Sequence, residues 1–249
     1  MSNYNGKRLA VEGGNGIYVV INGVAQLIPS VATYNNIFGN HDQTSITKAE
    51  LDTLPQWDAL DEGAYLARVE DSQAVYLVSN KIKRLVVSPE VMATYAFDWT
   101  KVKVVSGADA TQLDALPSGP PISDTITDYD YKRVRLDGSD AIYVVINGIA
   151  ELIPNVPTYQ GIFANEGAAN QTQVTKAELD TIPQGSPLEN GAYLARAKNT
   201  APIYLVSNGM KRRVSTPNTM RLYSFDWDKI HSGDKAAKLG SMVEGPTIW

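Results

Sequence analysis

The chain has 249 residues, 43% of them hydrophobic, and a formal net charge of −5 at pH 7. A chain of this length and hydrophobicity can bury a large core, which excludes an intrinsically disordered protein. It contains no cysteine, so disulfides, thiolate metal sites and a cysteine nucleophile are excluded. The acidic balance argues against nucleic-acid binding, because that function depends on clustered Lys and Arg.

The sequence also indicates whether a transmembrane segment or a secretory signal is present. No stretch approaches the ~18 consecutive apolar residues of a membrane helix, so we expect no transmembrane segment. Residues 1–6 hold neither an apolar run nor a cleavage-site pattern, and no secretory signal is visible there. Cytoplasmic synthesis is therefore the default expectation, while the native location is undetermined and extracellular action stays open.

One motif, a tyrosine among aliphatic residues followed four residues later by asparagine, occurs four times along the chain. A self-similar period of about 60 residues predicts a repeat architecture rather than one irregular domain. Because the tyrosines alternate with aliphatic residues on these segments, we expect them in the core. They are Tyr18, Tyr76, Tyr143 and Tyr204.

Within each repeat, the pattern predicts a three-stranded meander followed by short helices. In the second repeat the strands fall at 64–69, 74–79 and 82–87, which are rich in β-branched and aromatic residues. The tight turn before the third strand is Asn-Gly in the other three repeats, a pair that tolerates the positive φ angles of a type I′ hairpin. Ser88-Pro89 then predicts a helix start, and residues 102–105 a further short strand.

A second helical turn closes each of the first three repeats, and its sequence reveals how the repeats are related. Thr47 and Thr175 each precede a glutamate by three residues, which predicts a capping box. Repeats one and three resemble each other more than they resemble two and four, so the order is ABAB. The Pro- and Gly-rich segment 117–124 predicts the seam, which divides the chain into halves 1–122 and 123–249.

The middle strand of the meander predicts the fold class. Ile17, Val19 and Ile21 point to one face while Tyr18 and Val20 point to the other, so the sheet should be covered on both faces. We expect a mainly β protein with short helices. Four blades of about 60 residues would form a β-propeller-like ring, by analogy similar to the haemopexin-like ring. The alternative is two α+β lobes of two repeats each, related by a pseudo-twofold axis.

A set of motifs in the second repeat carries a resemblance to other sequences. The matching residues are Val75 to Asn80, Lys83-Arg84, Ser88 to Val91, Phe97-Asp98-Trp99, Val102, Val104 to Ser106, Leu113, Leu116-Pro117 and Gly119 to Ile122. They are similar to tandem repeats of uncharacterised bacterial surface and secreted proteins, which often stand beside peptidase or wall-binding modules. That resemblance implies a non-catalytic accessory or binding role. Repeats one and three depart from the pattern, with residues 39–42 and 164–167 in place of Phe-Asp-Trp.

Constellations for catalysis or metal binding are missing from the sequence. His41 and His231 are the only histidines and fall at non-equivalent repeat positions, which disfavours a histidine triad or a two-histidine metal site. No nucleophile elbow, phosphate loop or dinucleotide turn is present. Residues 137–140 carry two aspartates, but they lack the further ligands of a calcium loop. We therefore expect no enzyme activity, cofactor or metal.

The duplicated aromatic and acidic residues are the best candidates for a ligand site. Asp98-Trp99 and Asp226-Trp227 follow the capped helix at equivalent positions, and an aromatic face beside a carboxylate suits a sugar ring. The competing interpretation, which general burial favours, is that each Trp fills the gap between helix and sheet.

Two further groups of side chains have both a structural and a binding interpretation. Tyr65 and Arg68, with their counterparts Tyr193 and Arg196, lie on a first strand that could meet a ligand or serve cohesion. The basic residues of the third strand, 83–84 and 211–213, could meet an anionic glycan or lipid, but the favoured interpretation is that they protect an edge strand from pairing.

These patterns support three hypotheses for function. The first is a non-enzymatic, multivalent, lectin-like protein that binds glycans or glycoconjugates. The second is a structural or protein-interaction module of a cell envelope or secreted assembly. The third is an inhibitor or toxin-like protein that binds a protein surface through the variable loops 36–45 and 164–173.

Overall fold

A computed structural model describes residues 4–125, 127, 129–164 and 171–249. The chain divides into two compact units, Met1–Ile126 and Thr127–Trp249, called unit 1 and unit 2. The protein is mainly β with short helices, and the described residues form four small mixed sheets of similar size, two in each unit. In these ranges no helix has the length and hydrophobicity needed to cross a lipid bilayer.

Unit 1 contains nine strands and four α-helices within its described residues. The first repeat comprises β1 (Arg8–Val11), β2 (Ile17–Ile21), β3 (Val24–Ile28), α1 (Val31–Ile37), β4 (Thr44–Ile46), α2 (Lys48–Asp52) and β5 (Gln56–Trp57). The second comprises β6 (Tyr65–Val69), β7 (Val75–Ser79), β8 (Ile82–Val86), α3 (Pro89–Thr94), a 3₁₀ turn (Trp99–Lys101), β9 (Lys103–Val105) and α4 (Gly107–Ala115).

Unit 2 follows a similar order, without named strands at the places of β5 and β9 in its described residues and with a strand at its end. The third repeat comprises β10 (Arg133–Leu136), β11 (Ile142–Ile146), β12 (Ile149–Leu152), α5 (Val156–Ile162), β13 (Gln171–Val174) and α6 (Lys176–Thr181). The fourth comprises β14 (Tyr193–Ala195), β15 (Ile203–Ser207), β16 (Met210–Val214), α7 (Pro217–Leu222), a 3₁₀ turn (Trp227–Lys229), α8 (Asp234–Ala237), a second 3₁₀ turn (Lys238–Ser241) and β17 (Val243–Ile248).

All four sheets share one antiparallel meander, and the segments parallel to its outer strands are full strands in some sheets and isolated bridges in others. Three antiparallel strands form the predicted meander, and after the first helix the chain returns parallel to the first strand, as β4 does beside β1 and β9 beside β6. After the second helix an extended segment lies parallel to the third strand, as β5 does beside β3 and β17 beside β16. Four small mixed sheets of similar size are the pattern that internal repeats would produce.

The cores explain why repeats pair within a unit. In unit 1 the two sheets enclose one cluster that contains Val19 of β2, Leu77 of β7 and residues of both first helices. The opposite face of each sheet packs on its own second helix, through Leu51 for the first sheet and Leu113 for the second. Unit 2 has the same three layers of apolar residues. The prediction that the middle strands are covered on both faces is confirmed.

The predicted four-bladed ring is wrong. In a propeller both faces of every blade pack against neighbouring blades. Here the outer face of each sheet is instead covered by the short helix of its own repeat, such as α2 or α4. No sheet in the described ranges closes into a barrel or a propeller.

Turns and helix caps form as the sequence predicts. Asn22 and Gly23 both have positive φ angles, 53° and 78°, and the equivalent Asn-Gly pairs do likewise. The hydroxyl of Ser30 accepts a hydrogen bond from Thr33 N at 3.1 Å, which caps α1. Thr47 and Thr175 each form the complete capping box. Local chemistry therefore fixes where the short helices begin.

β16 is an internal strand, and β8, the last strand of its sheet, is flanked by residues 117–122 through isolated bridges. Lys83, Arg84 and Arg212 on these strands are buried, so the interpretation of protective edge charge is wrong. β16 is paired on both sides, and the Arg212 side chain on it is buried. Its Nη1 donates to Glu151 Oε1 of β12 at 2.6 Å, and its Nε donates to Pro246 O at 3.2 Å. Nη2 of Arg212 is also buried and finds no hydrogen-bond partner among the described residues. Unit 2 therefore contains a buried ion pair in its interior.

We predict that Glu151→Ala destabilises unit 2 by about 3–5 kcal/mol, because it leaves the buried Arg212 charge without its counterion. The comparison variant is Glu151→Gln, which also removes the charge but keeps a side-chain oxygen that can accept from Arg212, so it should cost less; unit 1 carries Gln26 at the equivalent buried position. Hydrogen exchange of β12 and β16 measures the change unit by unit, because a chain of two units has no single defined unfolding midpoint. Equal protection in the alanine variant and the wild type would contradict the prediction.

Candidate functional site

The two predicted Asp-Trp pairs lie in equivalent turns, one in each unit. At the end of α3 the chain turns through Ala96, which has a φ of 50°, and Phe97 then pairs with Phe38 in an antiparallel bridge. Asp98 follows and caps the 3₁₀ turn that begins at Trp99. Unit 2 has the same sequence of contacts, with Phe225 opposite Phe163.

The indoles of these turns are exposed. Trp99 is 53% exposed and Trp227 is 49% exposed. The interpretation that each Trp fills the gap between helix and sheet is therefore wrong. Tyr95 and Phe97 fill that gap in unit 1, with stacked rings 5.2 Å apart. Half of each indole is consequently available to a partner.

The carboxylate beside each indole is fixed by the turn itself. Asp98 Oδ1 accepts hydrogen bonds from Thr100 N at 2.9 Å and from Thr100 Oγ1 at 2.8 Å. These two bonds hold the pKa of Asp98 below its usual value, so the carboxylate stays ionised in mild acid. In unit 2 Asp226 Oδ1 accepts from Asp228 N at 2.9 Å. The turn of unit 2 therefore carries a second carboxylate where unit 1 has a hydroxyl.

Tyr65 and Arg68, the candidate ligand residues on β6, have different neighbours from the Asp-Trp pairs of the turns. Tyr65 belongs to the outer cluster under α4, and Lys103 Nζ lies 4.2 Å from its ring centroid. Arg68, three residues along the same strand, faces the other side of the sheet because side chains alternate. Its Nη1 donates to Ser72 O at 3.0 Å and braces the hairpin. Tyr65 and Arg68 therefore do not share one surface.

The equivalent residues of unit 2 differ in detail. Tyr193 has Lys235 Nζ 4.8 Å from its ring centroid, and His231 packs edge-on at 5.6 Å. Burial lowers the pKa of His231, and the nearby Lys235 charge lowers it further. Arg196 is exposed. Both tyrosines thus have a lysine over the ring, and in unit 2 His231 packs against Tyr193 as well.

The variable loop of unit 1 is anchored on a buried arginine that the sequence interpretation missed. Arg8 Nε donates to Asp42 O at 3.1 Å, Nη1 donates to Tyr95 O at 2.9 Å, and Nη2 bonds the Asn40 side chain. His41 stacks on Tyr34 with a centroid distance of 5.2 Å. The signal for this anchor was Arg8 itself, a charge at the start of an otherwise apolar strand. In the equivalent loop of unit 2, residues 165–170 lie outside the described residues.

A second missed group ties the ends of each unit together. In unit 1 the buried Tyr95 hydroxyl lies 2.8 Å from Asn5 Oδ1 and accepts from Asn22 N at 3.3 Å. In unit 2 the Tyr223 hydroxyl lies 3.1 Å from Asp130 Oδ1. Burial raises the pKa of Tyr95 to about 12, so this hydroxyl remains a donor at physiological pH. The signal in the sequence was the recurring Asn-Gly pair, which we had assigned to turn formation alone.

The described residues hold no arrangement that could ligate a metal, since no three His, Asp or Glu side chains converge among them. The loop with the two aspartates is a satisfied turn. Arg135 Nη2 contacts Asp140 Oδ1 at 2.9 Å, and Gln173 donates to Asp137 Oδ1. Both aspartates of this loop thus have a partner within the fold.

Comparison with known proteins identifies no family. No protein-family model matches the chain, and no curated protein matches it. The periplasmic assembly from the ESX-5 inner membrane complex is similar over 97% of this chain and 91% of its own, with 9% identity and a TM-score of 0.21. The intact ESX-5 inner membrane complex is similar over 97% of this chain and 79% of its own, with 9% identity and the same TM-score of 0.21. At that score the likeness carries no argument about fold or function.

We predict that Trp99→Ala lowers the stability of unit 1 by only about 1–2 kcal/mol, because half of the indole is already in water. The control is Phe97→Ala, which removes a ring that is 4% exposed and should cost about 3–5 kcal/mol. Hydrogen exchange of unit 1 strands measures both variants. A loss for Trp99→Ala as large as that for Phe97→Ala would restore the gap-filling role.

Proposed function

We propose that the protein is a non-enzymatic, bivalent glycan-binding protein with one site at the Trp99 turn and one at the Trp227 turn. The observation that supports the proposal is the half-exposed indole beside an oriented carboxylate, present at equivalent positions in both units. An indole face binds the C–H face of a sugar ring, and a carboxylate accepts hydrogen bonds from its hydroxyls.

The turn geometry suits this use. Asp98 Oδ1 already accepts from Thr100, so the second oxygen, Oδ2, is the one placed to accept from a ligand hydroxyl. The carboxylate needs no rearrangement on binding, because the 3₁₀ turn fixes it in advance, and this lowers the entropic cost of association. Since the pKa of Asp98 is lowered, the proposed site keeps its charge in mild acid. The proposal rests on the turn pairs and not on Tyr65, Arg68, Tyr193 and Arg196.

Duplication compensates for shallow sites. A single exposed indole with one carboxylate is expected to bind a sugar at about millimolar affinity, or roughly −4 kcal/mol. Two linked sites raise the avidity for a multivalent surface by on the order of 10² to 10⁴ without any new contact. Such a protein gains its strength of binding from repetition.

A protein-interaction module of a cell envelope or secreted assembly is the second candidate, and one observation favours it. Val31 is 71% exposed at the first turn of α1, and Val156 is 65% exposed at the first turn of α5. Exposed apolar side chains at equivalent positions suit contact with a protein. The loop that Arg8 anchors adds a fixed polar surface in unit 1.

Binding to a glycan array, followed by calorimetry with a glycan that binds, tests the first candidate. We predict that Trp99→Ala halves the stoichiometry and abolishes cross-linking of glycan-coated particles, because a bivalent protein becomes monovalent. Trp227→Ala should do the same, and the double variant should not bind. Asp98→Asn keeps the capping oxygen and should weaken binding at that site only.

The control is Val104→Ala, since Val104 is as exposed as Trp99, at 53%, and lies in the same unit. This variant should keep full stoichiometry and cross-linking. Undiminished glycan binding by the double tryptophan variant would refute the proposed sites. A protein that binds no glycan on the array, while Val31→Asp or Val156→Asp abolishes capture of an envelope protein, would favour the second candidate.

A further inference from the structure

In every repeat, the asparagine of the hairpin between the second and third strands bonds to the segment that ends the other repeat of the same unit. Its Nδ2 donates to a main-chain oxygen of that segment. Because the contact is reciprocal, the four side-chain amides help to join the two repeats of each unit. The pairs are Asn22 with Pro121 at 2.7 Å, Asn80 with Ala59 at 3.0 Å, Asn147 with Thr247 at 2.7 Å and Asn208 with Pro187 at 2.9 Å.

Three of the four hairpin asparagines precede a glycine, and this dipeptide is chemically labile in water. The main-chain nitrogen of the glycine gives up its proton and attacks the side-chain carbon Cγ of the asparagine. The bond from Cγ to the amide nitrogen then breaks, and that nitrogen takes up a proton and leaves as ammonia. Water opens the cyclic imide that remains, which yields aspartate or isoaspartate. Glycine permits the attack because it has no Cβ beside the attacking nitrogen. The asparagines concerned are Asn22, Asn147 and Asn208, whereas Asn80 precedes Lys81.

In the first and third repeats, both reacting groups are restrained by hydrogen bonds. Gly23 N, the attacking nitrogen, donates to Asn5 Oδ1 at 3.2 Å, and Asn22 Oδ1 accepts from Ser123 N at 3.0 Å. The attack requires the asparagine side chain to rotate toward the glycine nitrogen, so both bonds must break first. The corresponding bonds of the third repeat are Gly148 N to Asp130 Oδ1 and Trp249 N to Asn147 Oδ1, both at 3.2 Å.

In the fourth repeat neither reacting group is restrained in this way. Among the described residues, Gly209 N and Asn208 Oδ1 have no hydrogen-bond partner. Gly209 is exposed, and beyond its chain neighbours no atom lies within 4 Å of the position that a Cβ would take there, so water reaches the turn. Asn208 bonds instead through N to Glu189 Oε2 at 3.0 Å and through Nδ2 to Pro187 O, and neither bond holds the attacking nitrogen.

We propose that Asn208 is a site of spontaneous deamidation, while the fold protects Asn22 and Asn147. The modification changes the contacts of the hairpin in two ways. It removes the N–H donor to Pro187 O, and it places a new carboxylate beside Glu189, whose Oε2 accepts from Asn208 N. Neighbouring carboxylates repel each other. The hairpin between β15 and β16 therefore loses its contact with the segment that ends the third repeat.

Incubation of the full chain in ¹⁸O-labelled water at mildly alkaline pH, followed by peptide mass spectrometry, tests the proposal. The labelled oxygen enters each carboxyl that forms, so conversion during the incubation is measured at every asparagine in one sample. We expect Asn208 to convert at least about tenfold faster than Asn22 or Asn147, because each of those has two further hydrogen bonds to break. In urea, which removes the fold, the three asparagines should convert at similar rates.

Two variants test the mechanism and its consequence. Gly209→Lys should suppress the conversion of Asn208 and keep the turn, since Lys81 takes this position in the second repeat with a φ of 59°. Asn208→Asp reproduces one product and should speed the hydrogen exchange of residues 187–189. The control is Asn199→Asp, which adds the same charge to another exposed turn of the fourth repeat and should leave that exchange unchanged.

Three results would count against the proposal. Equal conversion of the three asparagines in the folded chain would overturn it, because the dipeptide sequence alone would then set the rate. An Asn208 that stays intact in the folded chain, under conditions in which the chain in urea reacts, would overturn it as well. Unchanged hydrogen exchange of residues 187–189 in Asn208→Asp would refute the loss of contact between the hairpin and this segment.

Discussion

A central strand that is apolar on both faces is the constraint on which the rest of this structure depends. Val19 and Val20, neighbours on β2, lie in two different clusters, one on each side of the sheet. A sheet of four or five short strands cannot cover both of its own faces. The second helix of each repeat covers one of these two faces. The other face needs a second sheet packed against it, which is why two repeats and not one make a compact unit.

The position of the candidate site follows from that arrangement. The first helix of each repeat joins the core between the two sheets, where Tyr34 and Tyr95 are almost fully buried. The chain must then leave this core to reach the fourth strand at the sheet edge. Phe97 is the last ring inside, and the next turn lies at the surface. Trp99 is therefore exposed because of where the helix ends, while Asp98, which caps the turn, holds the residues beside the indole in a fixed conformation.

The sequence predicts most of the local structure and little of the tertiary pairing. Asn-Gly hairpins, capping threonines and the two-sided β2 pattern act over a few residues, and all form as expected. The burial of Arg212 could not be predicted, because its surroundings depend on β17, a strand more than 30 residues along the chain. The sequence left the exposure of Trp99 open for a similar reason, since Phe97 competes for the same gap and only the bridge to Phe38 decides between them.

Comparison of the two units separates the features that both share from the features that only one of them has. Both units share the same topology, caps and hairpin, so these features are sufficient for the fold. Unit 2 differs at two polar positions near its interior, where Asp130 replaces Asn5 and Glu151 replaces Gln26. Each change exchanges an amide for an acid of nearly the same shape, which preserves packing and adds a charge whose burial is unfavourable. For Glu151 the cost is offset by Arg212 at 2.6 Å. For Asp130 the cost is partly offset by the hydrogen bonds that its Oδ1 accepts from Gly148 N and from the Tyr223 hydroxyl.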